Sequence, residues 1–317
     1  MRIAPWQHLT TAEMAVAFRA EHARLAAVLA WDTSATWTAL ERARVAGGVT
    51  GLVARDNAGA VAGWTYAVEH GDELQVGGFT ATAAARDPLL EALLTLPAAR
   101  AAARLRLFGA VSAPGLVAAL QRRGFVTGGY DYLRAALPPQ AASTDAGGAG
   151  WRHGDLSATA ALLRAAYPVH DALRPFGATP ALEEWLGYVV ALTSTAGCGV
   201  FAPDLSVVVR GADGTLDAVA LVTRLGPTVA HLAQLAVTPA ARGRGLGRLV
   251  LDAARRNARS AGSEEMTLLV AADNAAARRL YAGRGFRYAA SYVSALATLA
   301  PSAATVAAGA QRTAAIA

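Results

Sequence analysis

From residue 151 onward, the spacing of apolar residues switches repeatedly between helical and extended periods. A helix is predicted over 156–166, started by Asp155 as its cap, and a second over 180–195, where the fixed φ of Pro180 suits a first turn. Runs of strand length follow at 205–210, 216–225 and 228–237. Over 245–260, Leu246, Leu249, Val250, Ala253 and Ala254 fall on one helical face, and Gly262 ends the helix. Met266 to Ala271 is a nearly continuous apolar run, and Asn274 caps a last helix that ends near Gly283 or Gly285. The predicted order is α-α-β-β-β-α-β-α-β.

The segment before residue 151 reads as a distant copy. Val53-Ala54-Arg55-Asp56-Asn57-Ala58-Gly59 precedes an apolar strand at 60–68, much as Val208-Val209-Arg210-Gly211-Ala212-Asp213-Gly214 precedes 216–225. Arg123-Gly124-Phe125 and Arg284-Gly285-Phe286 each close a helix and lead into an aromatic-containing strand. Arg55 and Arg210 are 155 residues apart and Gly124 and Gly285 are 161 apart, so the second copy holds about six extra residues between hairpin and RGF. Between the copies, residues 138–150 read PPQAASTDAGGAG, which has no hydrophobic period and is predicted to be a linker. The expected domains are thus 1–137 and 151–297, followed by an Ala/Ser/Thr-rich tail at 298–317.

Composition narrows the function classes. Hydrophobic residues reach 54%, with a mean hydropathy of +0.31, but alanine carries much of this and no run long enough to span a bilayer is found. The N-terminus lacks the apolar core of a secretory signal, so a cytoplasmic protein without membrane contact is expected. Cys198 is the single cysteine, which excludes an intramolecular disulfide and any multi-thiolate zinc site, and no metal is expected. The 29 basic residues are all arginine and give a formal charge of +6. No basic stripe interleaves with aromatics, so nucleic acid is not an expected partner, whereas a phosphate-bearing cofactor is.

Candidate chemistry lies between 231 and 286. Arg242-Gly243-Arg244-Gly245-Leu246-Gly247 joins a strand to a helix, so its N–H groups converge at a helix N-terminus, where unpaired donors and the helix dipole favour an anion. Arg244 and Arg248 add positive charge. The loop lacks the lysine and Ser/Thr of a Walker loop and is not a GxGxxG fingerprint. A second motif, Asn274, Ala277, Tyr281, Gly285 and Phe286, follows on the next helix. Together with Leu235-Ala236-Val237 before the loop, these residues resemble the GNAT superfamily of acyl-CoA-dependent acyltransferases over about 151–297.

The resemblance implies an α/β (α+β) fold of two tandem GNAT-like domains, each a mixed, mostly antiparallel twisted sheet flanked by helices. It implies acetyl-CoA as co-substrate, with its diphosphate on the loop and its pantetheine on the main chain of a bulged strand at Leu235, Ala236 and Val237. Leu246, Gly247 and Asn274 join that cofactor set. It further implies transfer to a primary amine of a small molecule or peptide by direct attack, with Tyr281 protonating the thiolate. The alternative for Tyr281 is a place in the helix core, and for Asn274 that of an N-cap. His231 matches the position of a family glutamate that acts as base; the alternative is an imidazole hydrogen-bonded inside the sheet. With period two, His231, Ala233, Leu235 and Val237 are expected on one face and Leu232 and Gln234 on the other.

The acceptor side is expected in the segment Tyr167 to Phe176, with Trp185 and Tyr188 on the second helix. Its candidate residues are Tyr167, His170, Arg174, Trp185 and Gln234, suited to a small polar or acidic acceptor. In the first copy the chemistry is missing: Thr80 to Pro88 has no glycine, Leu120 replaces Tyr281, and Ala113 replaces Asn274. That copy reads as a degenerate domain without cofactor. Two alternatives to an acetyltransferase stand open: a non-catalytic acyl-CoA-binding regulatory module, and an acyltransferase using a longer acyl-CoA, since Ala233 and Ala236 are small.

Overall fold

Long apolar strands such as 216–225 bury both faces, and helices supply the cover on each side of a sheet. The computed structural model describes residues 1–111, 113–137, 148–167, 171–177, 179–194 and 198–299. The chain runs through β1 (Arg2–Pro5), α1 (Thr11–Leu29), α2 (Ser34–Val45), β2 (Thr50–Arg55), β3 (Val61–His70), β4 (Glu73–Ala81), α3 (Ala83–Leu94), α4 (Pro97–Ala101), β5 (Arg104–Ala110), α5 (Leu116–Arg122) and β6 (Val126–Ala136). It continues through β7 (Ala149–Gly150), α6 (Leu156–Ala166), α7 (Leu182–Ser194), β8 (Val200–Phe201), β9 (Val207–Arg210), β10 (Leu216–Gly226), β11 (Val229–Val237), α8 (Leu246–Ser260), β12 (Glu265–Ala271), α9 (Ala275–Ala282) and β13 (Arg287–Thr298). The predicted elements of the second copy recur within a residue or two, with β7 and β8 added.

Two compact units form, and neither is cut at the linker. One comprises Met1–His22, Trp37–Gly129 and the chain from Ser291; the other comprises Ala23–Thr36 and Tyr130–Ala290. In the first, strands run β1-β2-β3-β4-β5-β13; in the second, β6-β12-β11-β10-β9-β7, with β8 on β10. Both sheets are mostly antiparallel, with parallel pairing at β4–β5 and β11–β12. The last strand of each sequence copy therefore completes the sheet built by the other copy.

The reason lies in edge pairing. An open edge leaves a row of unpaired backbone groups, and β6 satisfies β12 by pairing Tyr130–Ala136 with Ala271–Glu265. Likewise β13 satisfies β5, with Tyr292–Thr298 against Ala110–Arg104. The domain boundaries read from sequence, 1–137 and 151–297, thus differ from those of the compact units. Of the linker, residues 138–147 lie outside the described residues, as do residues 300–317 of the tail.

In the unit that starts its sheet with β6, one core fills the side of α8 and α9, where Leu133, Ala135, Leu232, Met266 and Leu268 meet Val250, Leu251, Tyr281 and Phe286. The other face packs on α6 and α7 through Val219, Leu221 and Ala236 against Leu163, Trp185 and Val189. In the other unit, Ala113 and Leu120, the counterparts of Asn274 and Tyr281, are fully buried in the core. No helix among the described residues is long and apolar enough to cross a membrane.

Leu133 tests the exchange, since it lies in the first sequence copy but in the core of the later unit. Leu133→Ala is expected to cost about 3 kcal/mol in urea denaturation. Hydrogen exchange should rise in peptides covering 265–271 and not in those covering 50–81; the reverse pattern would contradict the strand assignment.

Candidate active site

The site begins with a fault in the β10–β11 ladder. Leu221 pairs with Gln234 and Val222 with Leu232, which leaves Ala233 as one residue too many on β11. Such a bulge bends the strand and reverses its alternation. Parallel pairing of β11 with β12 covers only Val229–Leu232 against Glu265–Leu268, so the two strands part where the bulge begins. Thr238 N–H donates to the Asp217 carbonyl at 2.9 Å, which makes these two a hydrogen-bonded pair. By the alternation of an antiparallel ladder, Ala236 then turns its backbone toward β10 while Leu235 and Val237 turn theirs toward the side that β12 has left.

The bulge also corrects the expected facing of side chains. Leu232 shares the α8/α9 core with Leu235 and Val237, whereas Ala233 and Ala236 pack with the α6/α7 core. Gln234 faces that same α6/α7 side, where it meets Tyr167 and Tyr188. His231 precedes the fault and points away from its neighbour Leu232. A strict period of two failed because one inserted residue shifts every later side chain. Of the cofactor positions read from sequence, Ala236 gives its backbone to β10 and its methyl group to the opposite core.

Beyond β11, Gly243 and Gly245 adopt φ of +78° and +80°, where a side chain would be strained. They turn the chain into α8, whose cap Gly245 carries no side-chain bond. The first intrahelical bond shown is Leu249 N–H to the Gly245 carbonyl, at 3.1 Å, so the N–H groups of Leu246, Gly247 and Arg248 precede the helical ladder. Here lies a cavity of about 330 Å³ lined by Val237, Arg242, Gly247, Arg248 and Leu280, with Ala241, Gly243, Gly245 and Leu246. A Cβ on Gly247 would make only ordinary contacts, 3.6 Å or more from Val237, Leu235 and Leu280. The fold therefore does not need glycine there for packing, and its absent side chain leaves room for a ligand.

Not every expected cofactor residue lines this cavity. Arg242 does, and its guanidinium also donates to the Ala166 carbonyl at 2.8 Å. Arg244 instead lies outward, 3.7 Å from Asp217. Asn274 caps α9, its Oδ1 accepting from Ala277 N–H at 3.1 Å. Tyr281 is buried in the α8/α9 core against Phe286, with ring centroids 5.7 Å apart. Burial, and secondarily the nearby Tyr167, raise its pKa and keep the hydroxyl protonated.

The acceptor segment closes on an aromatic cluster. Tyr167 stacks on Trp185 at 5.5 Å, Phe176 stacks on Tyr188 at 4.9 Å, and the Arg174 guanidinium lies 5.0 Å over the Tyr167 ring. Arg174 also donates to the Gly177 carbonyl at 3.0 Å. The Gln234 amide bridges two phenols: Tyr167 donates to its Oε1 at 3.2 Å, and its Nε2 donates to Tyr188 at 2.7 Å. The structure thus gathers Tyr167, Arg174, Trp185 and Gln234; His170 lies outside the described residues.

His231 is set apart from Tyr281, on the face away from the α8/α9 core. It is buried, its Nδ1 is 2.8 Å from Thr267 Oγ1, and its ring stacks on Tyr132 at 6.0 Å. Burial pushes its pKa down to about 4, which leaves a neutral and weakly basic imidazole near pH 7.

Residues 161–286 match the acetyltransferase (GNAT) family. The chain carries a GNAT-family domain. Among solved structures, a GCN5-related N-acetyltransferase from Sphaerobacter thermophilus is similar at 19% identity, covering 78% of this chain and 80% of that one, with a TM-score of 0.57. A tandem GNAT protein from the clavulanic acid biosynthesis pathway is similar at 18% identity over 80% and 84% of the two chains, TM-score 0.51. A GNAT acetyltransferase from Colwellia psychrerythraea covers 93% of this chain and 99% of its own at 13% identity, TM-score 0.55. No curated protein sequence matched the chain.

Around the GNAT domain's cleft stand residues that the sequence reading passed over. Leu280 lines the cavity, and Thr267 and Tyr132 hold His231. Tyr132 and its neighbour Tyr130 lie on β6, before the linker, so only long-range pairing brings them here. Among the described residues no group of three His, Cys, Asp or Glu side chains is placed to hold a metal.

The His231 environment yields a pH prediction for the GNAT domain. Its folded pKa of about 4 lies below the unfolded 6.5, so the unfolded chain takes up the proton first. The stability contributed by the neutral imidazole is complete above pH 6.5 and is lost as the pH falls toward 4. Wild type should lose roughly 3 kcal/mol more than His231→Gln across that window, read by urea denaturation at fixed pH. Parallel stability curves would contradict the buried neutral imidazole.

Proposed function

We propose that the GNAT domain transfers an acetyl group from acetyl-CoA to a primary amine of a small molecule or peptide by direct attack. The family supports acyl transfer from acyl-CoA. The observation that carries the reading here is the alignment of two features along one gap. The backbone edge of Leu235 and Val237, left without β12, leads into the cavity at the start of α8. A diphosphate at that helix start meets N–H donors, the positive end of the helix dipole, and the arginines 242 and 248. The extended pantetheine would add to the open edge of β11 as a strand adds to a sheet.

In the reaction the amine nitrogen bonds to the thioester carbon and the C–S bond breaks. The Val237 N–H polarises the carbonyl as charge develops on its oxygen. Tyr281 gives its hydroxyl proton to the departing sulfur, and the amine's surplus proton leaves to water in the acceptor cleft, from which the phenol is reprotonated. We assign His231, expected as base from its position, a supporting part: with a pKa of about 4 it is a weak base at neutral pH, and its Nδ1 is tied to Thr267. The cluster of Tyr167, Trp185 and Gln234 walls the acceptor side, and the small side chains of Ala233 and Ala236 lie in the opposite core rather than limiting the acyl chain.

Calorimetry with acetyl-CoA should show one site per chain. Gly247→Asp places a carboxylate where the helix dipole tolerates it and the diphosphate does not, so binding should fall below detection with an unchanged melting temperature. Absence of binding to wild type would sink the acyltransferase reading. For a turned-over amine, Tyr281→Phe should keep acetyl-CoA binding and lower kcat about 100-fold, while His231→Gln keeps most of it. Binding without turnover by any amine would favour an acyl-CoA-sensing module.

A further inference from the structure

Tyr130 has no part in the chemistry above, yet the fold carries it to the cleft of the GNAT domain. It ends the stretch of β6 that pairs with β12 and stands opposite Ala271. That is past Leu268, the last β12 residue that accompanies β11. Tyr132, two residues along, faces His231 at 6.0 Å. Alternation puts Tyr130 on the same face, the one on which Gln234 holds Tyr167 and Tyr188. The charges that act on the Tyr130 hydroxyl are Asp171 and Arg174 of the acceptor segment and Asp273 before α9, with Tyr167 among them. Burial first, and then Asp171, push this phenol up to about 12, so it stays protonated and able to donate.

We propose that Tyr130 is a specificity-determining residue of the acceptor cleft, where its hydroxyl and the Asp171 carboxylate receive the N–H groups of a primary amine beside Tyr167. The inference rests on the acyltransferase reading. It gives the first sequence copy a part in substrate selection, because that copy supplies β6 and with it Tyr130, beside the Tyr132 that holds His231. A phenol oxygen and a carboxylate both accept N–H bonds and so suit an amine, while the Tyr167 ring face already carries the Arg174 guanidinium and offers no second cation site. Asp171 is half-buried and already accepts from Leu173 N–H through one carboxylate oxygen, at 2.9 Å, which fixes its orientation.

The test uses the full chain with Tyr130→Phe and Tyr130→Ala. Acetyl-CoA binding is measured by calorimetry, and thiol release from acetyl-CoA is followed with tyramine, putrescine and lysinamide as acceptors. Expected is an acetyl-CoA affinity within about twofold of wild type in both variants. For the best of the three amines, KM should rise roughly tenfold in Tyr130→Ala and less in Tyr130→Phe, with kcat nearly kept. Unchanged KM in Tyr130→Ala with acetyl-CoA binding intact overturns the proposal. Failure of wild type to bind acetyl-CoA overturns instead the reading on which it rests. A readout that needs no turnover is 3-fluorotyrosine at position 130 in the chain saturated with acetyl-CoA. Its fluorine resonance should move when tyramine, putrescine or lysinamide is added; a resonance that stays fixed with all three overturns the placement of Tyr130 in the cleft.

Discussion

Between Leu232 and Gln234 the backbone of β11 carries one residue more than β10 can oppose, and past Leu268 the parallel partner β12 is gone. A strand inside a sheet normally spends its N–H and C=O groups on two neighbours. Here one neighbour is lost over the last residues, and the groups of Leu235 and Val237 face an opening. The cavity at α8 includes Val237 at the end of that edge, and the aromatic cluster lies on the far side of the sheet. Straightening β11 would close the opening and leave the glycine loop as an ordinary connection.

Each side of the opening has its own electrostatic character. Toward α8 the chain offers donors, a helix dipole and arginines, with no carboxylate among the residues lining the cavity. Toward α6 and α7 it offers phenols, an amide and both signs of charge, held by ring stacking and by the Gln234 bridge. The two ends of the opening therefore differ in charge character, cationic toward α8 and mixed toward α6 and α7.

Much of this was legible in the sequence because it is local. Helix periods, the Asn274 cap, the glycine loop and the Tyr281 position are each set within a few residues, and the structure places elements where the periods put them. The resemblance implied a bulged strand, but the facing of β11 was not legible, since an alternating pattern cannot place the extra residue at Ala233 when Leu232, Ala233 and Leu235 are all apolar. The exchange of β6 and β13 was not legible either. Arg134 pairs with Glu265 across 131 residues of chain, and Tyr132 donates to the Leu29 carbonyl across 103. Such pairings leave no periodic trace, and the linker composition pointed to a boundary that the sheets ignore.

The first-copy unit shows why the same topology need not carry the same site. Its β4 bears an equivalent fault, where Tyr66 pairs with Gly78 and Ala67 with Val76, and its parallel pairing with β5 likewise stops after Val76 and Leu107. The opening geometry is therefore retained. What differs is the helix start. Thr82 caps α3 directly, its hydroxyl accepting from Ala85 N–H at 3.3 Å, with none of the seven residues that separate Thr238 from α8. Arg86, in the first turn of α3, donates to the Pro114 carbonyl at 2.7 Å and pairs with Asp87. The Ala85 N–H at this helix start is thus met by the chain's own Thr82, and Leu120 fills the core where a tyrosine stands in the other copy. The two units thus share the strand fault and the early end of the parallel pairing, and differ in the loop, the helix cap and one aromatic-to-aliphatic position.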